Sequence, residues 1–198
     1  KCSPMAAAEL AQLAIAAGVT LPIRQIMSQS ERVLPAHRAL CHQAFGAAIK
    51  DRYSSEEVGW IALQCPKHEH LHVMSGVTQV EIVDDAGAPC AVGQPGRVLV
   101  TSLHSYAMPL IRYELGDMAE WGEPCDCGIN LPVIKRLWGR TRHRLRLPSG
   151  ELRPMPALGD DIAAIAPVRA FQVRQYRGGE IELVCKVSRP LSAGDVQA

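Results

Sequence analysis

The sequence predicts a mixed α/β fold in which helices and short strands come first and a strand-rich stretch follows. Three observations predict it. The opening segment is an Ala-rich helical stretch with cap signals at both ends. Residues 77–83 carry Val77, Gln79, Val80, Glu81, Ile82 and Val83 in the alternation of a strand. Arg177-Gly178-Gly179 is a turn between two strand-like runs, residues 170–176 and 180–187.

Taken in order, Ser3 is placed to cap the first helix and Pro4 to open it. Met5, Leu10, Leu13 and Ile15 are its apolar positions and Gly18 its stop. LPIRQIMSQS, residues 21–30, reads as a strand leading into a turn. Residues 34–49 read as a second amphipathic helix with Ala39, Leu40, Phe45 and Ile49 near one face. Residues 59–63, GWIAL, form a short apolar strand. The strands at 77–83 and 96–103 flank the turn DDAGAP and make a hairpin-like pair. Residues 125–130 form a tight, Gly-containing loop, and residues 133–137 and 143–147 are two further short strands. Residues 153–160, rich in Pro and Gly, read as a linker, with a short helix near Ile162 before the last hairpin. The closing LSAGDVQA reads as a helix capped by Ser192 or Asp195 and cut short. With the abrupt opening KCSP, it predicts a fragment.

Of the 198 residues, 47% are hydrophobic, enough for a sizeable core in one large domain or two small ones. The formal net charge of +1 provides no field for nucleic acid or an anionic membrane, so neither is an expected partner. No apolar run is long enough to span a bilayer, and Glu9 and Gln12 make the opening helix unlike a signal peptide. A cytoplasmic protein is the default expectation. Arg136, Arg140, Arg142, Arg144, Arg146 and Arg153 concentrate positive charge, either as a solvated strand face or as a phosphate site. Of the seven cysteines, Cys2, Cys41, Cys90 and Cys185 are scattered and read as buried free thiols.

The other three fall in a metal-like pattern. CPKHEHLH, residues 65–72, packs one Cys and three His into a short segment, and Cys125-Asp126-Cys127 precedes Gly128. Thiolate and imidazole are the donors of structural zinc. Two thiolates two residues apart reach one ion only from a tight turn, which Gly128 permits. A long hairpin could bring the two clusters together, giving Cys65, one His, Cys125 and Cys127. Spacing alone leaves the choice among His68, His70 and His72 open, and leaves Asp126 or Glu123 as alternative ligands.

A second group of residues suits a nucleotide. Tyr53-Ser54-Ser55-Glu56-Glu57 sets an aromatic ring beside paired carboxylates, the hard oxygen donors that Mg²⁺ takes together with phosphate. Gly116-Asp117, after a strand, could place a carboxylate on ribose hydroxyls. Gly139-Arg140 could place a guanidinium on a phosphate or ribose.

In this order the segments resemble the adenylate-forming (AMP-binding) enzymes. Tyr53 to Glu57 is similar to their Y-G-x-T-E motif, RYELGD to Y-R-T-G-D, and WGR to the G-R-x-D-D hinge motif. Within that superfamily the sequence is most similar to phenylacetate–CoA ligases and to relatives assigned to capsular polysaccharide biosynthesis. Those share a Cys, a His after six residues, and a C-x-C-G, matching Cys65, His72, Cys125, Cys127 and Gly128. The resemblance spans about residues 20–187 and selects His72 among the histidines.

The resemblance implies residues 1–152 as the C-terminal part of the large domain, 153–160 as hinge, and 161–198 as the truncated start of the small α+β domain. It implies that Tyr53 lines the adenine or acyl pocket, that Glu57 is the catalytic carboxylate holding Mg²⁺, that Asp117 binds ribose hydroxyls, and that Arg140 contacts the nucleotide near the hinge. It implies ATP and a small-molecule carboxylate, an aryl acid among the candidates, giving acyl-AMP, with coenzyme A as acceptor and a structural Zn²⁺. Some positions depart from the pattern. Ser54 and Glu56 replace the Gly and Thr, and Arg142 and His143 replace the hinge acids. The phosphate-gripping loop and the C-terminal lysine have no counterpart, so the chain alone is expected to be inactive. The alternative expectation is a non-catalytic, zinc-stabilised module that binds nucleotide or a partner.

Overall fold

The computed structural model describes residues 1–29, 31, 33–142, 144–150, 152–154, 162, 165 and 168–197. They form two compact units, Lys1–Leu137 and Trp138–Ala198. Among the described residues no helix is long and apolar enough to cross a membrane.

The first unit opens with helix α1, Pro4–Ala17. The Ser3 hydroxyl accepts from the Ala6 N–H at 3.2 Å, and Gly18, at φ 64°, turns the chain out of the helix. The face that α1 buries is the reverse of the expected one. Ala7, Ala8, Ala11 and Ala14 are inside, while Met5, Leu10, Leu13 and Ile15 are exposed. Alanine methyls let α1 lie close to helix α2, Pro35–Phe45, around Cys41 and Ile26, where larger side chains would hold the helices apart. Helix α2 stops four residues short of the expected end. Gly46 adopts the left-handed φ of 63° that a C-cap requires, and Ile49 lies in a strand instead. That strand, β2 (Ala48–Lys50), runs parallel to β1 (Gln25–Met27), with α2 as the crossover between them.

Seven strands then build one sheet among the described residues. They are β3 (Arg52–Ser55), β4 (Gly59–Gln64), β5 (Leu71–Val73), β6 (Thr78–Val83), β7 (Gly96–Ser102), β8 (Tyr113–Trp121) and β9 (Val133–Arg140), in spatial order β3-β4-β5-β9-β8-β7-β6. The β6–β7 hairpin expected from the alternating sequence is present, in register from Thr78 opposite Ser102 to Val83 opposite Arg97. The sheet curls: the Thr78 hydroxyl donates to the Trp60 carbonyl of β4 at 3.3 Å. Ile61, Val98, Val100, Ala119 and Ile134, all fully buried, fill the interior that the curl creates. Strand β5 is not legible in the sequence, because three residues beside a His-rich run carry no usable periodicity.

In the second unit, β10 (Arg144–Arg146) pairs with β11 (Leu152–Pro154), and β12 (Val168–Gln175) pairs with β13 (Ile181–Val187) through the expected turn, where Tyr176 N–H bonds the Glu180 carbonyl at 2.9 Å. Helix α3, Ala193–Gln197, follows, its start capped by Ser192, whose hydroxyl accepts from the Asp195 N–H at 3.3 Å. His143, linker positions 155–160 and most of the stretch around Ile162 lie outside the described residues.

Gly96 shows how tightly the first unit is packed. A Cβ there would come within 2.5 Å of both the Val83 carbonyl oxygen and Cys90 Sγ. Gly96→Ala should therefore cost about 1–3 kcal/mol in chemical denaturation. Gly76→Ala, where a Cβ meets nothing within 4 Å, should cost far less.

Candidate metal centre and nucleotide site

The two thiol-bearing segments meet because β5 pairs with β9. Leu71 stands opposite Ile134 and His72 opposite Val133, so the chain returns beside β5 after building β6, β7 and β8. This pairing, rather than the expected hairpin, joins the clusters. Cys65 follows β4 directly, and its N–H donates to the His70 carbonyl at 2.9 Å, closing the 65–70 loop onto itself. Cys125 and Cys127 sit in the turn before β9, with Gly128 at φ 89°.

The donor atoms of Cys65, His72, Cys125 and Cys127 all lie within 4.8 Å of one another. Cys65 Sγ is 3.8 Å from Cys125 Sγ, and Cys127 Sγ is 3.3 Å from His72 Nε2. Tetrahedral zinc with bonds of about 2.3 Å to sulfur and about 2.0–2.1 Å to nitrogen sets S···S edges near ~3.8 Å and S···N edges near ~3.6 Å. The set fits such an ion with little movement. His72 Nδ1 faces the Leu131 carbonyl at 3.4 Å, which leaves Nε2 to point into the cluster. Backbone N–H groups of Lys67, Cys127 and Ile129 donate to the sulfurs of Cys65, Cys125 and Cys127, each at 3.4 Å. Such donors stabilise thiolates.

The thiols differ sharply in acidity. Burial pushes Cys65 up, but the Lys67 N–H, His72, the His68 N–H and Cys127 together outweigh it and bring the thiol down to about 6. Burial and the neighbouring sulfurs push Cys125 up to about 11. A cluster of sulfurs this close cannot carry a negative charge on every member without a cation between them.

Of the alternative ligands, Asp126 lies beside the four donors rather than among them. Its carboxylate accepts from His68 Nε2 at 2.6 Å. Glu123 belongs to neither donor cluster found among the described residues.

The nucleotide-like residues gather on β3 and β8. The Tyr53 ring is part of the sheet's core, and its hydroxyl donates to Asp117 Oδ2 at 2.8 Å. Asp117 lies within β8, not after it. Three residues there, Leu115, Gly116 and Asp117, stand opposite the single residue Val98 of β7, and Gly116 takes a φ of 74°. The bulge turns the Asp117 carboxylate toward Tyr53. Glu56 and Glu57 are exposed in the β3–β4 turn, and Tyr113 Oη donates to Glu57 Oε1 at 3.5 Å, a tie to the start of β8 that the sequence did not suggest. Arg140 is an exposed residue of the second unit, at the end of β9.

No family model matches the chain. It is 28% identical over 200 residues to a phenylacetate–coenzyme A ligase of Thermus thermophilus, an alignment covering 96% of this chain and 45% of that protein. The chain therefore spans about half the length of the curated relative it matches. Among solved structures, a 2-hydroxyisobutyryl-CoA ligase in its postadenylation state with 2-HIB-AMP superposes with a TM-score of 0.81 at 19% identity, over 98% of this chain and 45% of the other. An anthranilate CoA ligase in complex with anthranoyl-AMP gives a TM-score of 0.70 at 16% identity, over 100% of this chain and 41% of that one. An amide bond synthetase from Marinactinospora thermotolerans gives 0.71 at 18% identity, over 96% and 42%. The fold is that of one part of an adenylate-forming ligase.

The Tyr53–Asp117 bond makes its own prediction. Tyr53→Phe keeps the buried ring and removes one donor from the Asp117 carboxylate. It should lower stability by about 1–2 kcal/mol in denaturant titration, with no change in metal content.

Proposed function

We propose that this chain is the nucleotide-binding part of an acyl-adenylate-forming acid–CoA ligase. The observation that carries the reading is the Tyr53–Asp117 hydrogen bond of 2.8 Å, which joins two motif segments 64 residues apart. It lies in a fold shared with ligases solved with acyl-AMP bound. In this reading Asp117 accepts from ribose hydroxyls, and its bond to Tyr53 fixes the carboxylate before the nucleotide arrives. The Tyr53 ring forms the floor beneath the adenine or acyl pocket, and Arg140 is the residue that the motif resemblance assigns to the nucleotide near the hinge.

Glu57, with Glu56 beside it on the same exposed turn, would hold Mg²⁺, which supplies positive charge to the phosphates. A substrate carboxylate oxygen attacks the α-phosphorus of ATP, the bond to the β-phosphate oxygen breaks, and pyrophosphate leaves with acyl-AMP formed. The thiol of coenzyme A then takes the acyl group and AMP departs. The acid is a small carboxylate; 2-hydroxyisobutyrate and anthranilate are acids of the structural neighbours, and an aryl acid is the substrate class suggested by the phenylacetate ligase relative. Cys65, His72, Cys125 and Cys127 would hold a structural Zn²⁺. The donor types and the 3.8 Å sulfur separation support that assignment.

Isothermal titration with a non-hydrolysable acyl-adenylate analogue tests the nucleotide reading. Wild type should bind it, and Asp117→Ala should weaken binding at least tenfold, about 1.4 kcal/mol. Equal affinity in the two proteins would remove Asp117 from the site. Carboxylate-dependent ATP–pyrophosphate exchange by the protein as its complete gene encodes it tests the reaction.

For the metal, elemental analysis should find at least one zinc per chain, falling below about a tenth in Cys125→Ser. Zinc affinity should also depend on pH in a specific way. Above about 6 Cys65 is already a thiolate, and below it a proton on that sulfur competes with the ion. Chelator competition should therefore show log affinity falling more steeply below that pH, by about one further log unit per pH unit.

A further inference from the structure

We infer that the metal centre has a second, outer position for a divalent cation, held by His68, Asp126 and the sulfur of Cys125, which the two ions share. The inference rests on the inner four-donor set holding zinc.

His68 Nε2, Cys125 Sγ and Asp126 Oδ1 converge within 4.8 Å of one another, on the solvent side of the four inner donors. They combine imidazole, thiolate and carboxylate, a set suited to a borderline-soft ion such as Zn²⁺ or Cd²⁺. Cys125 Sγ is 3.8 Å from the inner sulfur of Cys65 and 3.9 Å from Asp126 Oδ1. It therefore stands at the junction of the two sets. A thiolate has lone pairs enough to bridge two ions, and among the described residues a single protein N–H, that of Cys127, donates to it, which leaves them available.

The outer donors can adjust. His68 and Asp126 now touch at 2.6 Å, closer than two ligands of one tetrahedral ion stand, so they must part by several tenths of an ångström. Their side chains are 41% and 80% exposed, which permits that movement and admits water to complete the coordination shell.

A further observation points the same way. His70 Nε2 is buried and has no hydrogen-bond partner among the described residues. The His70 ring stacks on His68 at 5.1 Å and meets His72 edge-on at 5.2 Å. A buried imidazole nitrogen without a partner is costly. Its ring lies between the histidine of the inner set and the histidine of the outer set.

Cadmium titration followed by cadmium NMR provides the test. The wild-type chain should take up two equivalents, the second more weakly, and give two resonances that split each other through the shared sulfur. His68→Ala and Asp126→Asn should each lose the second equivalent and keep the first, which also shows that the variants fold. One equivalent in wild type, a second that survives both variants, or two resonances without mutual splitting would overturn the outer position while leaving the inner site intact. Uptake of no cadmium at all would instead overturn the inner zinc assignment on which this proposal rests.

Discussion

The pairing of β5 with β9 is the constraint on which the rest of the first unit depends. It is short, Leu71 opposite Ile134 and His72 opposite Val133, yet it spans the greatest sequence separation of any strand pair with a defined register in the sheet. It inserts β9 between two stretches of chain that would otherwise remain separate sheets, β3-β4-β5 and β8-β7-β6. Forming it carries the loop-closure entropy of some sixty intervening residues. Hydrogen bonds over two residue pairs are a small return for that, so other interactions must hold the strand in place. Burial of Leu71, Val73 and Ile134 supplies one. A metal held by Cys65, His72, Cys125 and Cys127, which converge at the same end of the same pair, would supply the other.

A metal bound across that junction would act much as a disulfide does, closing a long loop whose freedom the unfolded chain otherwise keeps. The position explains why the donors come from a loop after β4, the middle of β5 and a turn before β9. Cys65 stands where β4 ends, Cys125 and Cys127 stand before β9 begins, and His72 lies within the pair itself. The N–H groups aimed at the three sulfurs come from residues two places along each loop, so the backbone conformation that presents a sulfur also stabilises its charge.

How much of this the sequence disclosed depended on whether the deciding interaction was local. The caps of α1, the β6–β7 alternation, the 177–179 turn and the Cys-x-Cys-Gly turn are local, and were legible. Gly46 was a readable stop that the apolar pattern through Ile49 obscured. The buried face of α1 was illegible for another reason: the larger apolar residues marked the side away from α2, and hydrophobicity alone ranks leucine over alanine as core. Strand β5 exists because β4 and β9 flank it, so no property of Leu71, His72 and Val73 alone announces it. His72 was chosen by resemblance, and the strand position explains the choice. His68 and His70 sit on the loop, whereas His72 is fixed in the sheet, with its ring directed at the thiols. The Tyr53–Asp117 partnership was likewise hidden, since it needs the bulge at Gly116 to exist.

The bulge also bears on how the two candidate sites relate. Strand β8 carries Asp117 in its middle and leads at its far end to the Cys-x-Cys turn. From Asp117 to Trp121 the strand alone advances about 13 Å at 3.3 Å per residue. That exceeds the distance of about 8–10 Å over which exposed charges interact in physiological salt. An ion among the cysteines would therefore exert little direct field on a nucleotide at Asp117. Its influence would travel mechanically, by fixing where β8 ends and β9 begins. Asp117 keeps its direction only while β8 stays registered on β7 around the bulge, since a slip of one residue would turn the carboxylate to the opposite face. On this reasoning an ion held by the cysteines and a nucleotide held at Asp117 would be coupled through strand register rather than through charge.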